Sequence, residues 1–450
     1  MLKKSLKLSI IFCFLLINLS SQQFRKTNVP EWAKNAVIYE VNIRQFTPEG
    51  TFKAFIKHLP RLKELGADIL WLMPVHPVGE VNRKGSLGSY YSVKDFKKVN
   101  PEFGTDDDFR ELVKAAHSLR MYVILDWVAN HTAWDNPWVK SNPDFYTKNE
   151  KGEFIPPVAD WHDVIDLNYD NQALRDSMIS ALVYWVKEFN TDGYRCDVAG
   201  MVPTDFWQEA RPELDKIKPV FMLAEEEKPE LHDGAFDMSY GWKSHHILND
   251  IAKGKQTADS LIHQIKSDLK KFPPQAMLMR FITNHDENSW NGTEFERLGK
   301  AVDVFNVLNF TLPGMPLIYT GQEAGLNKRL RFFDKDTVDW SDLSASELFR
   351  SLGKLKKSNP ALNAGEHGGE TIFGAVSPSG KAMYFTRVKE DNVVLVILNF
   401  GGNTETLEIP GSMISDGMSL KLGEGVRNPE SGRNLKAELK PYNYSVYSNR

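Results

Sequence analysis

The sequence predicts an α/β protein: a (β/α)8 TIM barrel with a small excursion after strand 3 and a C-terminal antiparallel β-sandwich. Between residues 36 and 350, eight short apolar runs alternate with stretches of helical periodicity. Near-continuous apolar runs are typical of parallel strands buried on both faces, which supports a barrel. After Pro360 the helical period is lost, and short alternating segments at 382–388 and 393–398 predict the sandwich.

The barrel prediction rests on eight strand candidates with amphipathic helices between them. The strands are predicted at residues 36–41, 68–73, 122–126, 193–197, 220–225, 235–239, 277–283 and 316–320. Apolar faces at helical spacing occur within 52–65, 109–119 and 174–189. Thr105 and Asp108 have the spacing of a capping arrangement at the start of the second of these helices.

The segments outside this alternation define the predicted domain limits. Residues 1–21 are predicted to be a signal peptide, residues 22–360 the barrel domain, and residues 361–450 the sandwich. Within the barrel domain, residues 132–168 are rich in Asn, Asp, Pro, Trp and Lys and too long for an ordinary loop, so they are predicted to form the excursion.

The N-terminus has the pattern of a secretory signal. Lys3, Lys4 and Lys7 precede the apolar run 8–19, which is shorter than the ~20 residues that a membrane span needs. A signal anchor is the alternative. We therefore expect an exported protein, periplasmic or secreted, with no stable membrane span after cleavage. Cys196 would then be the only cysteine, which excludes an intramolecular disulfide.

The overall charge argues against polyanionic partners. The net charge is −4 with 25% charged residues, which gives no electrostatic reason to expect nucleic acid or an acidic membrane surface. We therefore expect no nucleic-acid partner.

Three carboxylates, Asp197, Glu225 and Asp286, each follow an apolar run as it ends. Active sites of such barrels lie at the carboxyl ends of the strands, and carboxylates are rare at the edge of a core unless they are paired or used. Their convergence predicts a site that cleaves glycosidic bonds. Each also has a structural interpretation, because Asp197 could pair with Arg195 and Asp286 could cap a helix.

These motifs together resemble the α-amylase family, glycoside hydrolase family 13. The four main signatures resemble Asp-Trp-Val-Ala-Asn-His at 126–131, Gly-Tyr-Arg-Cys-Asp at 193–197, Ala-Glu at 224–225 and Phe-Ile-Thr-Asn-His-Asp at 281–286. Supporting matches lie at 88–96, 100–104 and 314–323. The resemblance runs from about residue 36 to the C-terminus, and the motifs occur in the family's order.

The resemblance implies a retaining α-glycosidase acting on α-1,4-glucosidic bonds in starch-type glucans or maltooligosaccharides. Asp197 would be the nucleophile, Glu225 the acid/base, and Asp286 the transition-state stabiliser, with the first two ~5–5.5 Å apart. Arg195 lies two residues before Asp197 on the same strand and would keep it ionised at neutral pH.

Further residues are implied by the same resemblance to bind the sugar. His131 and His285 would hold hydroxyls of the sugar being cleaved, and Tyr91 would be the stacking platform beneath it. Three tryptophans of the excursion could line the cleft or simply pack the excursion. They are Trp134, Trp138 and Trp161.

Asn130 and Asp166 resemble ligands of a structural Ca2+ ion, which prefers such oxygen donors. A metal-free site held by hydrogen bonds is the alternative, and no organic cofactor is expected.

Gly200 and Met201 replace a Lys-His pair frequent in the family, and the 164–168 motif lacks its common proline.

Bond specificity therefore stays open. The alternatives within the family are an α-glucosidase, a cyclomaltodextrinase or neopullulanase, and a glucanotransferase. The alternative from another class is a non-catalytic glucan-binding protein or amylase-like ectodomain.

Overall fold

The computed structural model describes residues 24–425 and 428–450. The predicted signal peptide, residues 1–21, lies outside this part. The strands, in chain order, are β1 (Ile38–Val41), β2 (Ile69–Leu72), β3 (Tyr122–Trp127), β4 (His131–Ala133), β5 (Val164–Asp166), β6 (Gly193–Cys196), β7 (Phe221–Ala224), β8 (Met238–Tyr240), β9 (Met277–Arg280), β10 (Met315–Tyr319), β11 (Glu370–Phe373), β12 (Ala382–Lys389), β13 (Asn392–Asn399), β14 (Glu405–Ile409), β15 (Ser419–Gly423), β16 (Leu435–Leu439) and β17 (Tyr444–Ser448).

The α-helices surround the barrel and precede the C-terminal sheets. They are α1 (Ile43–Phe46), α2 (Phe52–Ile56), α3 (Leu59–Leu65), α4 (Asp106–Ser118), α5 (Trp138–Ser141), α6 (Gln172–Phe189), α7 (Thr204–Asp215), α8 (Trp242–Ala252), α9 (Ala258–Lys271), α10 (Glu294–Leu298), α11 (Val302–Thr311) and α12 (Ser346–Ser358). None of the helices in the described ranges combines the length and apolar character needed to cross a membrane.

Eight parallel strands close into a barrel in the order β1, β10, β9, β8, β7, β6, β3, β2. All eight predicted strands are present, which confirms the fold class. The sixth begins later than predicted, at Met238, because Gly234 and Ala235 belong to a turn in which Gly234 has a φ of +71°. The face predicted over 52–65 is divided between α2 and α3, and Pro60 lies in the first turn of α3, where its missing N–H costs nothing.

Helix α4 begins as its sequence indicates. The Thr105 hydroxyl accepts from the Asp108 N–H at 3.2 Å, and the Asp108 carboxylate accepts from the Thr105 N–H at 3.0 Å. This reciprocal capping satisfies two backbone donors at the helix end.

The excursion and the C-terminal sheets are the two additions to the barrel. In the excursion, β4 pairs antiparallel with β5. After α12, one sheet has the order β11, β12, β13, β17, β15, and β14 pairs with β16. Leu395 and Ile397 of the larger sheet share an apolar cluster with Leu407 and Leu435 of the smaller one. The domain limits near residue 360 stay a prediction.

Gly193 opens β6, the strand that carries Arg195 and precedes Asp197. Its φ is +145°, and a Cβ atom there would lie 1.9 Å from the Phe221 carbonyl oxygen of the neighbouring strand. Only glycine therefore permits the close approach of β6 to β7 at this point.

We expect Gly193→Ala to lower the free energy of unfolding by about 2 kcal/mol or more, because the clash is with backbone and adds to the unfavourable φ. Thermal and urea unfolding measure the loss. The matched control is Gly152→Ala, where φ is +80° but no atom lies within 4 Å of the new Cβ. Equal losses in both variants would contradict this explanation.

Candidate active site

The carboxyl-terminal mouth of the barrel contains a cleft of about 650 Å³. Asp197 directly follows β6 and Glu225 directly follows β7, whereas Asp286 lies beyond the end of β9 in the loop that leads into a π-helix, Glu287–Asn291. All three side chains line this one cleft. The structure therefore brings together the three acids that the sequence placed at strand ends.

Arg195 lies beneath the cleft with its side chain fully buried. Its Nη1 donates to Asp126 Oδ1 at 2.8 Å and to Asp197 Oδ1 at 3.0 Å. Its Nη2 forms an ion pair with Glu225 Oε2 at 2.9 Å, and its Nε donates to the Tyr240 hydroxyl at 3.2 Å. One cation thus contacts three carboxylates and makes Asp197 and Glu225 neighbours.

Burial opposes ionisation of this pair. It raises the pKa of Asp197 well above its ordinary value, and the charge of Glu225 raises it further against the attraction of Arg195. Burial also raises the pKa of Glu225, again opposed by Arg195. The sequence predicted that Arg195 would keep Asp197 ionised. In the structure, burial and the charge of Glu225 oppose that effect of Arg195. Two close buried carboxylates that repel one another favour sharing a proton.

A second cation, His285, lies opposite Arg195. Burial lowers the pKa of its imidazole, but the carboxylates of Asp286 and Glu40 outweigh burial and raise that pKa well above the usual range. His285 Nε2 lies 3.3 Å from Asp286 Oδ2, and its Nδ1 is bonded to Glu40 Oε1. In turn, His285 lowers the pKa of Asp286 although burial acts to raise it. Asp286 is therefore the acid held in its charged form.

Asp286 does not act as a helix cap. It occupies the position before the π-helix, but its side chain accepts no capping hydrogen bond there. The capping interpretation is therefore wrong, and the carboxylate instead pairs with His285 and lines the cleft.

The Tyr91 hydroxyl links His285 to Asp126, which is itself an acceptor of Arg195. The protonated His285 Nε2 donates to the Tyr91 oxygen at 2.8 Å, and the Tyr91 hydroxyl donates to Asp126 Oδ2 at 3.0 Å. Asp126 also accepts from the Trp71 indole N–H at 3.1 Å. Asp126 is thus a buried acceptor for groups that line or support the cleft.

Aromatic rings form one wall of the cleft. The Tyr91 ring is stacked on Phe332, with centroids 6.1 Å apart and an interplanar angle of 18°. His131 contacts the Trp161 ring at 5.5 Å, and burial lowers the pKa of His131 to about 4, so it is neutral at pH 7. Flat rings beside a neutral imidazole and carboxylates suit a polyhydroxylated ligand with apolar faces.

The three tryptophans of the excursion differ in function. Trp161 lines the cleft. Trp138 instead packs against Phe96 at 5.2 Å, and the Trp134 indole donates to the His162 carbonyl at 2.9 Å. Only the first of these three therefore contributes to the cleft wall.

Asn130 and Asp166 lie near each other at the base of the excursion but provide few metal donors. The Asn130 carbonyl accepts from the Leu167 N–H at 3.2 Å, and its side-chain amide lies 3.4 Å from His131 Nδ1. The described residues contain no group of three or more His, Cys, Asp or Glu suited to a metal ion. One carboxylate and one amide fall short of the six to eight oxygens of Ca2+, so no chemical step is assigned to calcium.

Several residues that line or support the cleft were missed by the sequence analysis. Glu40 was detectable from the sequence, because the predicted buried strand 36–41 contains no other charged residue. Trp290 lines the cleft from the short π-helix after β9, and Phe332 and Phe333 line it from the loop after β10. Aromatic residues in loops carry no periodic signal, so their position depends on the path of the chain.

A family model described as the alpha-amylase catalytic domain matches residues 19–361. An α-amylase from Haloarcula japonica is 29% identical over 417 residues, which is 89% of this chain and 60% of that protein. The chain therefore spans less than two thirds of that relative.

Solved structures extend the similarity over nearly the whole fold. An α-amylase from Lactobacillus plantarum is 30% identical with a TM-score of 0.81, covering 92% of this chain and 98% of that one. A noncanonic maltogenic α-amylase from Thermotoga neapolitana is 31% identical with a TM-score of 0.80, covering 92% and 96%.

The contact between Glu40 and His285 yields a test of the electrostatics. We expect Glu40→Gln, which keeps the shape and an acceptor oxygen but removes the charge, to lower the pKa of His285. NMR titration of selectively labelled histidines measures the change. The control is Glu49→Gln at an exposed carboxylate. If the pKa of His285 is unchanged in Glu40→Gln, the charge of Glu40 does not stabilise the protonated imidazole of His285.

Proposed function

The chain belongs to the α-amylase family of glycoside hydrolases, and on that premise we propose that it is a retaining α-glycosidase that hydrolyses α-1,4-glucosidic bonds in starch-type glucans or maltooligosaccharides. The main support for this proposal is that the buried guanidinium of Arg195 contacts both Asp197 and Glu225 at the floor of the cleft. Two adjacent carboxyl groups, one ionised and one protonated, are what the retaining mechanism requires.

In the first step, an Asp197 oxygen forms a bond to the anomeric carbon while the bond to the leaving oxygen breaks. Glu225 gives its proton to that oxygen, so the shortened glucan leaves as a neutral hydroxyl. The raised pKa of Glu225, caused by burial, supports a protonated acid at neutral pH. Arg195 contacts both carboxylates, so the placement of the shared proton on Glu225 is part of this proposal.

In the second step, water gives its proton to Glu225 and its oxygen attacks the anomeric carbon, releasing Asp197. Two displacements at one carbon retain the α configuration. Asp286, charged beside His285, would stabilise the oxocarbenium-like transition state and hold sugar hydroxyls. His131 and Tyr91 complete the subsite by hydrogen bonding and stacking.

A non-catalytic binding protein is a weaker explanation of the same cleft. Sugar binding alone gives no reason to bury Asp197 and Glu225 on one cation, because each burial costs free energy.

Export to the periplasm or medium is a further proposal, supported by the charge and apolar pattern of residues 1–21. Calcium dependence remains a separate prediction, tested by adding a chelator to the purified protein.

We expect Asp197→Asn to reduce hydrolysis of maltoheptaose and soluble starch by about 10³-fold or more, because the nucleophile is lost. Proton NMR of the first products checks the mechanism in the native protein, where the new reducing end should carry the α configuration. The matched control is Asp170→Asn on the exposed surface. β-configured first products, or full activity in Asp197→Asn, would contradict the proposal.

We expect Glu225→Gln to slow hydrolysis of maltooligosaccharides by about 10²–10⁴-fold, with a smaller loss on a dinitrophenyl α-glycoside, whose leaving group needs no proton. Because Glu225 acts while protonated and burial raises its pKa, the native rate should fall on the alkaline side above the ordinary pKa of glutamate. That limb should vanish in the variant.

The pH–rate profile of kcat/KM on both substrates measures these effects. Glu226→Gln, the same change at the adjacent residue, is the control. Equal losses on the two substrates would exclude Glu225 as the proton donor.

A further inference from the structure

The loop between β2 and α4 projects over the cleft from a closed base. At the base, the Gly79 N–H donates to the Ser92 carbonyl at 2.8 Å, and Val78 forms an antiparallel bridge with Val93. We call its tip, residues 83–88, the strap. Lys84 of the strap lines the same cleft as the three carboxylates.

One side of the strap is attached to the excursion. Lys84 Nζ donates to the Asp160 carbonyl oxygen at 2.8 Å and forms an ion pair with Asp163 Oδ1 at 3.0 Å. The Asp163 side chain is only 6% exposed and that of Lys84 24%. An ion pair so shielded from water is less screened than one on the open surface.

The other side of the strap is attached to the segment after β10. The Ser86 N–H donates to Asp334 Oδ1 at 3.0 Å, the Ser86 hydroxyl donates to the same oxygen, and the Leu87 N–H donates to the Phe333 carbonyl at 2.9 Å. Gly85 has a φ of +63°, and a Cβ there would lie 2.5 Å from Phe333 Cβ. The strap is thus packed directly on Phe333, a residue that lines the cleft.

A buried arginine supports the strap from below. Arg44 Nη1 donates to the Gly88 carbonyl at 3.1 Å, and its Nε donates to Glu102 Oε1 at 2.9 Å. The Arg44 side chain is fully buried. Attachment on both sides and from beneath makes the strap a fixed part of the site.

The barrel order shows which part of the mouth the strap covers. Neighbouring strands run β10, β1, β2, β3. The excursion follows β3 and the Phe333 segment follows β10, so the two attachments stand on either side of β1 and β2. Glu225 follows β7, across the barrel. The cleft is therefore bridged on the side away from the acid/base.

Resting on the proposed function, we propose that the strap closes the glycone end of the cleft, with Lys84 as a specificity-determining residue. The leaving glucan must lie toward Glu225, which protonates its oxygen, so the glycone extends toward the strap. The volume of the cleft, about 650 Å³, is within the range of sites that hold a small ligand. The enzyme would then remove short oligosaccharides from non-reducing chain ends.

The test compares two chromogenic maltoheptaosides, one free and one blocked by an ethylidene group at its non-reducing end. The glycosidic bonds are the same, but only the free substrate presents a chain end. We expect the native protein to have a kcat/KM about tenfold or more lower on the blocked substrate, because a closed subsite rejects the added group.

The double variant Lys84→Ala/Ser86→Ala removes the side-chain attachments on both sides of the strap. We expect the ratio of free to blocked kcat/KM to fall by about fivefold or more, since the opened cleft admits the blocked end. Lys148→Ala, which breaks an exposed ion pair with Asp144 in the excursion, should leave the ratio unchanged.

Each outcome has a distinct meaning. Native protein that cleaves both substrates equally well overturns the strap proposal and leaves the glycosidase proposal standing. Native protein that cleaves neither overturns both. If the double variant is folded by circular dichroism and keeps the native ratio, Lys84 and Ser86 do not set the preference. If it does not fold, the native ratio alone decides whether the glycone end is closed.

Discussion

The burial of Arg195 is the interaction on which the site depends. A guanidinium without water is stable only if anions replace its hydration, and an unpaired buried charge costs several kcal/mol. Asp126, Asp197 and Glu225 provide those anions. Because they come from three neighbouring strands, the cation also fixes the relative position of the strand ends. Breaking a buried pair of this kind typically costs about 3–5 kcal/mol, so the geometry is strongly held.

The wider network has more acids than cations. Five carboxylates, those of Glu40, Asp126, Asp197, Glu225 and Asp286, surround Arg195 and His285. Burial raises the pKa of all but Asp286, for which the charge of His285 prevails. The excess of acids in a low-dielectric site is relieved by bound protons. Proton retention, which acid catalysis needs, thus follows from the composition of the site.

The parts of the site predictable from sequence were those fixed by strand periodicity. Asp197 and Glu225 follow their strands directly, so a correct strand prediction places them at the mouth. Asp286 was identified from its sequence motif and not from strand periodicity, because β9 ends six residues before it. Glu40 was visible within a buried strand but was not interpreted, because its partner His285 is remote in sequence. The balance between burial and Arg195 at Asp197 required the folded geometry.

The strap could not have been predicted in the same way. Lys84 and Ser86 are ordinary polar loop residues, and their partners Asp163 and Asp334 belong to two distant loops. No local propensity specifies such contacts. Gly85 is the one local indication, because a glycine at positive φ permits close packing on Phe333.

On the proposal that the strap closes the glycone end, substrate and product share one opening of the cleft, and this fixes the order in which they enter and leave. On the proposed mechanism, the glycone stays covalently attached to Asp197 beneath the strap while the rest of the glucan leaves through the open side. The detached oligosaccharide can follow only by the same exit, once that exit is clear. Sliding of one glucan through successive cuts is then impossible, since its severed end lies outside the cleft and must enter afresh. Turnover becomes a series of independent encounters, and small sugars that re-enter compete with each new chain end.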